Sequence, residues 1–161
     1  MVDLIQEDVD RGRADVRQAS LEFWSKFPWK LFITLTFRDL IAEETAWKDW
    51  RFTVRILNSG LLGSHYTHKV GHSYFSYLFG QEMQQRDVIH YHALIDRPID
   101  FELLHKHWNR YYGFAWISII RDQQKAVEYV TKYALKEDNI RFFIRKRPFI
   151  IRDSPAWWLE A

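Results

Sequence analysis

The chain contains no cysteine. Disulfides and thiolate metal sites are therefore excluded, and any bound ion must rely on His, Asp or Glu, a donor set suited to harder cations. Proline and glycine are scarce, four and six among 161 residues, and there is no internal repeat or low-complexity tract. No stretch approaches the roughly 18 consecutive apolar residues of a membrane span. The N-terminus lacks the pattern of a secretory signal. The expectation is a soluble, cytoplasmic protein with no membrane partner. The absence of GxxxxGK followed by Ser or Thr speaks against a helicase or ATPase within the chain.

What is abundant is aromatic. Eight Trp, eight Tyr and twelve Phe make up 17% of the residues, within a hydrophobic total of 47%. That is enough for a core in a single domain spanning 1–161, and the surplus suits stacking against nucleic-acid bases. Net charge is only +2, but it is unevenly spread. Arg121 to Arg152 carries nine Lys or Arg against four Asp or Glu, whereas residues 1–20 carry five acids against three Arg. A basic C-terminal third suits a phosphate backbone.

Residues 1–29 read as a polar, partly helical lead-in. Leu31 to Phe37 (LFITLTF) reads as a buried strand. Ala42 to Asn58 reads as a helix stopping near Gly60. Residues 59–73 hold three Gly without periodicity and read as a mobile loop. Tyr74 to Met83 and Val88 to Ile95 read as strands joined by the polar turn 84–87. Asp100 caps a helix with Phe101, Leu104, Trp108 and Tyr111 on one face, stopping at Gly113. Ala115 to Arg121 is a fourth strand, and Gln123 to Lys136 a third helix. Ile140 to Ile151 alternates basic and aromatic residues and fits either an extra strand or a DNA-contacting tail. The order β-α-β-β-α-β followed by a helix predicts an α+β, ferredoxin-like or RRM-like split βαβ fold. The first and third strands then lie side by side at the centre of an antiparallel sheet.

Three features can carry chemistry. His90 and His92 flank Tyr91 on one strand, so both imidazoles point to the same face. Glu82 lies on the neighbouring strand. An odd hairpin loop brings it opposite the histidines, and an even one turns it away. Two His and one carboxylate suit Mn²⁺ or Mg²⁺, which polarise phosphoryl oxygens. The third feature is Tyr129, Lys132, Tyr133 and Lys136, which share an arc of about 100° on their helix. Ala126, Val127, Val130 and Ala134 form the opposite, apolar stripe. A tyrosine is a poor nucleophile at neutral pH. A metal-bound phosphate and a Lys would make its attack feasible by neutralising charge.

Together and in this order, these features resemble the HUH superfamily of rolling-circle replication initiators, where U is a hydrophobic residue. The resemblance covers most of residues 31–136. Leu31 to Phe37 is similar to the family's first motif and Ile89 to Ile95 to its HUH motif. Tyr129 to Lys136 is similar to its tyrosine motif in the doubled Y-x-x-K-Y-x-x-K form. It implies that His90, His92 and Glu82 are ligands of a divalent metal ion, Mn²⁺ or Mg²⁺. It also implies that Tyr129 and Tyr133 are candidate nucleophiles served by Lys132 and Lys136. The implied activity is nicking of single-stranded origin or hairpin DNA, giving a 5′-phosphotyrosine and a free 3′-OH. A host polymerase and a separate helicase are the implied partners. Which tyrosine cuts first stays open.

Arg38 and the run Arg145, Lys146 and Arg147 are candidate DNA-phosphate contacts. His65, His68 and His72 crowd a loop without a rigid frame, and His105 and His107 read as structural or surface residues. Trp157 and Trp158 read first as packing back onto the domain, with a dimer contact or a link to a further C-terminal domain as alternatives. Two other functions fit: a transposase or relaxase with the same chemistry, and a non-catalytic, RRM-like nucleic-acid-binding module.

Overall fold

The computed structural model describes residues 2–84, 88–136 and 141–145, with side chains from residue 11 onward except that of Lys136. Helix α1 (Val2–Trp24) is followed by β1 (Leu31–Phe37), α2 (Glu43–Leu62), the short α3 (Tyr66–Val70), β2 (Tyr77–Met83) and β3 (Ile89–Ile95). Then come α4 (Phe101–Tyr111), β4 (Gly113–Ile119), α5 (Gln123–Lys136) and β5 (Arg141–Phe143). The five strands form one sheet in the order β4-β1-β3-β2-β5, and every pairing is antiparallel. β1 and β3 lie at its centre, as the split βαβ order predicts. The lead-in is helical over most of its length, and the basic-aromatic segment contributes a strand of three residues at one edge.

Period-two side-chain alternation divides the sheet into two unlike faces. Leu31, Ile33, Leu35 and Phe37 of β1 and Tyr91, Ala93 and Ile95 of β3 pack with Trp50, Val54 and Leu57 of α2 and with Leu104 and Trp108 of α4. Trp50 and Trp108 are fully buried there. Truncating a buried Trp or Phe typically costs about 3–5 kcal/mol, so this aromatic layer is the main tie between sheet and helices. On the other face a smaller core joins Trp24 of α1, Trp29, Leu78, Leu94, and Val127 and Val130 of α5.

Several boundaries differ from the sequence expectation. α2 continues through Gly60 and ends at Gly63, whose φ of 85° suits glycine. At Gly60 an added Cβ would lie 2.6 Å from Leu103 Cδ2, so this glycine serves close packing of α2 on α4 and does not stop the helix. The expected loop 59–73 instead contains the end of α2 and all of α3, with Tyr66 buried. Buried Asn58 ties α2 to the start of the hairpin segment, donating to Val54 O at 2.6 Å and accepting from Tyr74 N at 2.9 Å. β2 begins at Tyr77, because Asn58 and Ser73 Oγ take the N–H groups of Tyr74 and Phe75 that a sheet ladder would use. Asp100 caps α4 as expected, its Oδ1 accepting from Leu103 N at 2.8 Å. Tyr111, however, is exposed, at the outer edge of the stripe set by Leu104 and Trp108. β4 starts at Gly113, two residues earlier than expected. There Arg38 N donates to Tyr112 O at 2.8 Å and carries the ladder past the helix end.

Candidate active site

The β2–β3 hairpin decides where Glu82 points. Five residues separate the paired Met83 and Ile89, and Glu82 stands opposite His90 while Gly80 stands opposite His92. The odd spacing puts Glu82 on the histidine face. His90 and His92 are 8% and 5% exposed, on the face that carries α5.

Each imidazole is held from β1. Thr36 Oγ1 lies 3.3 Å from His90 Nδ1, and Thr34 Oγ1 lies 3.3 Å from His92 Nδ1. Gln84 Nε2 stands 3.0 Å from His90 Nδ1, and Glu82 Oε2 lies 3.0 Å from His92 Nε2. Desolvation lowers the pKa of His90, with its neighbour His92 acting in the same sense and Glu82 opposing. His90 is thereby favoured as neutral imidazole, the form that ligates metals. Contacts at Nδ1 orient both rings, and Nε2 of His92 meets Glu82. The signal for Thr34 and Thr36 was present in the sequence: their i, i+2 spacing puts them on one face of a strand next to the histidines.

Helix α5 brings in the tyrosines. Asp122 caps it, Oδ1 accepting from Lys125 N at 3.1 Å, and Gln123 Nε2 donates to Trp29 O. Its apolar stripe of Val127, Val130 and Ala134 is buried against the sheet, Lys132 is exposed, and the two tyrosines beside the stripe reach the cluster. The ring of Tyr133 lies 4.9 Å from that of His92 and the ring of Tyr129 lies 5.1 Å from it, with 5.0 Å between the two tyrosines. Phe32 packs on both His92 and Tyr129. The pKa of Tyr133 is pushed up to about 12, first by a hydrogen bond with Tyr129, then by desolvation and by the charge and hydrogen bonding of Glu82. Lys132 Nζ sits 5.3 Å over the Tyr133 ring.

Gly80 makes this approach possible. An added Cβ there would lie 2.6 Å from Val130 O and 3.0 Å from Ala134 N, inside the backbone of α5. Sequence reasoning missed this residue, although an isolated Gly in a strand is a signal of close backbone approach.

A family model for the replication-associated protein ORF2 matches residues 30–138, more than half of the chain. The chain belongs to that family. No curated protein and no solved structure matches it. In this replication-associated protein the matched segment runs from the residue before β1 to just past α5, and so contains the whole His, Glu and Tyr cluster.

The remaining candidates are dispersed. Arg38 is exposed just after β1, its guanidinium donating to Asn109 O at 3.0 Å. Arg145 is half-buried, its backbone N donating to Ser76 Oγ at 3.2 Å, near the end of β2 remote from Glu82. Lys146, Arg147, Trp157, Trp158 and the turn residues 85–87 lie outside the described residues, as does the side chain of Lys136. His65 and His68 are exposed with rings 6.2 Å apart, and His72 Nε2 lies 3.0 Å from Tyr77 Oη. His105 is exposed and His107 buried. No helix among the described residues is long and apolar enough to cross a membrane.

Proposed function

We propose that this chain starts rolling-circle replication as an HUH-type endonuclease. It nicks single-stranded origin DNA through a tyrosine and keeps the cut end. The observation that carries the reading is the packing of both tyrosine rings against His92, with Glu82 3.0 Å from His92 Nε2.

His90, His92 and Glu82 would hold a divalent ion, Mn²⁺ or Mg²⁺. Among the described residues no three His, Asp or Glu side chains stand in a coordinating arrangement, and Glu82 contacts His92 directly. The donor set nevertheless fits. Two imidazoles oriented through Nδ1 and one carboxylate share a face, with Glu82 Oε2 already 3.0 Å from His92 Nε2. When bound, the ion supplies positive charge to a phosphoryl oxygen.

The rest falls to the chain. A tyrosine oxygen attacks phosphorus, the bond from phosphorus to the 3′ oxygen breaks, and a phosphotyrosine forms on the 5′ side. The phenol gives up its proton and the departing 3′ oxygen takes one up, so neither water nor ATP is consumed. Lys132 offsets charge as the phenol ionises. The 3′-OH then serves a polymerase, with a separate helicase opening the duplex.

The test is denaturing electrophoresis of protein with end-labelled single-stranded origin oligonucleotides and Mn²⁺. A covalent adduct is expected, lost with EDTA and lost in the Tyr129→Phe, Tyr133→Phe double variant, which keeps both rings. Adduct from the double variant at wild-type yield would move the nucleophile elsewhere. A transposase or relaxase would give the same adduct and differ in where it transfers the strand.

A further inference from the structure

We propose that Phe114 and Trp116 on β4 form a stacking platform for unpaired bases of single-stranded DNA, beside the His and Tyr cluster. The identity of the nucleic acid rests on the nicking reading above.

The sheet register places the two rings. One row across the sheet runs Glu82, His90, Thr36, Phe114, and the next runs Gly80, His92, Thr34, Trp116. Phe114 and Trp116 thus share the histidine face, two inter-strand spacings or about 10 Å from the imidazoles. Among the described residues, α5 packs on β2 and β3 and α1 packs on α5, so these helices lie over the other half of this face. Phe114 and Trp116 are 58% and 51% exposed. Their neighbour Ala115 is buried on the core side, so these are the positions where a half-solvated antiparallel strand ordinarily carries polar groups.

Exposure of two large rings side by side is costly unless something flat covers them. The surroundings indicate an anionic occupant. The outward residues of β1 and its immediate extensions are Lys30, Phe32, Thr34, Thr36 and Arg38, and those of β4 and its extension are Phe114, Trp116, Ser118 and Ile120. Lys30 stands at one end of these β1 positions, Arg38 at the other is turned onto Asn109 O of α4, and none of the nine positions on the two strands holds a carboxylate. A strand with its bases on the two rings would have its phosphates within reach of Lys30. The platform then holds nucleotides that flank the scissile phosphate, and it favours single strands because duplex bases are already stacked on one another.

The experiment is fluorescence anisotropy in EDTA, which prevents cleavage. Wild-type protein is titrated onto oligothymidylate of about 15 nucleotides, within the span of known single-strand sites, and onto an abasic strand of equal length and charge. Wild type is expected to prefer the base-bearing strand by about tenfold or more. The Phe114→Ala, Trp116→Ala variant should bind both strands equally, and Trp116→Phe should restore part of the preference. Because both side chains are exposed, the variants should melt like wild type. No base preference in wild type, or preference retained in the double variant, would overturn the platform. Tighter binding of oligouridylate would overturn its assignment to DNA. A dimer in sedimentation that the double variant abolishes, without base preference, would give the face to a second copy of the chain. The Mn²⁺ adduct judges the nicking reading separately. Adduct without base preference sinks the platform alone. Base preference without adduct sinks the nicking reading and leaves a binding surface.

Discussion

The two tyrosines are one helical turn apart but are not equivalent. Tyr129 is 42% exposed, whereas Tyr133 is half-buried and its pKa is pushed up to about 12 by Tyr129, burial and Glu82. The helical wheel already places Tyr133 nearer the apolar stripe. The influence on it of a glutamate 51 positions away in the chain is a tertiary matter. Raising a phenol's pKa reduces the fraction available as nucleophile. Tyr129 is therefore expected to make the first cut. In single-turnover assays Tyr129→Phe should lose adduct formation by about 1000-fold or more. Tyr133→Phe should retain most of it and chiefly lose the later strand transfer. The reverse ranking would assign the first cut to Tyr133.

At the scale of elements, the site depends on how closely α5 lies on β2. Gly80 sets that distance, since any Cβ at this position enters the helix backbone. Gly80→Ala should push α5 outward and cost about 1–3 kcal/mol of stability, the usual range for overpacking. The displacement carries Tyr129 and Tyr133 away from His92. Adduct yield at a temperature where the variant is fully folded should therefore fall further than affinity for single-stranded DNA. Equal losses of both, or neither, would show that helix placement does not govern the chemistry. The extent of α5, Gln123 to Lys136, was legible because an apolar stripe and a polar arc alternate with helical period. The length of α2 was not, because Gly60 looks like a stop until Leu103 is found against it.

The whole molecule rests on two cores, one on each side of the sheet, and both bury groups that resist ionisation. His107 lies at 8% exposure among Phe52, Tyr111 and Tyr112, its Nε2 without a hydrogen-bond partner among the described residues, and burial lowers its pKa. The sign follows from linkage. As pH falls below about 6.5 the unfolded chain takes up a proton that the folded chain refuses, so stability drops until the lower folded value is passed. His90 shifts in the same direction and adds to the slope. Denaturant midpoints should therefore fall between pH 7.5 and 5.5, and His107→Phe should flatten but not abolish that fall. An unchanged slope would mean that His107 takes up its proton equally in the folded and unfolded chains.

The chain's own order of residues determined the fold class, the shared face of His90 and His92, and the shared arc of Tyr129 and Tyr133. Strand and helix periods dictate those relations locally, whatever the rest of the molecule does. Three matters were left to the tertiary structure. The odd spacing of the hairpin turned Glu82 toward His90, the clearance at Gly80 brought the tyrosines onto His92, and the half-covered sheet left Phe114 and Trp116 in solvent. Each is a relation between segments distant in sequence, set by pairing register and by which helix covers which strand, and local periodicity contains neither.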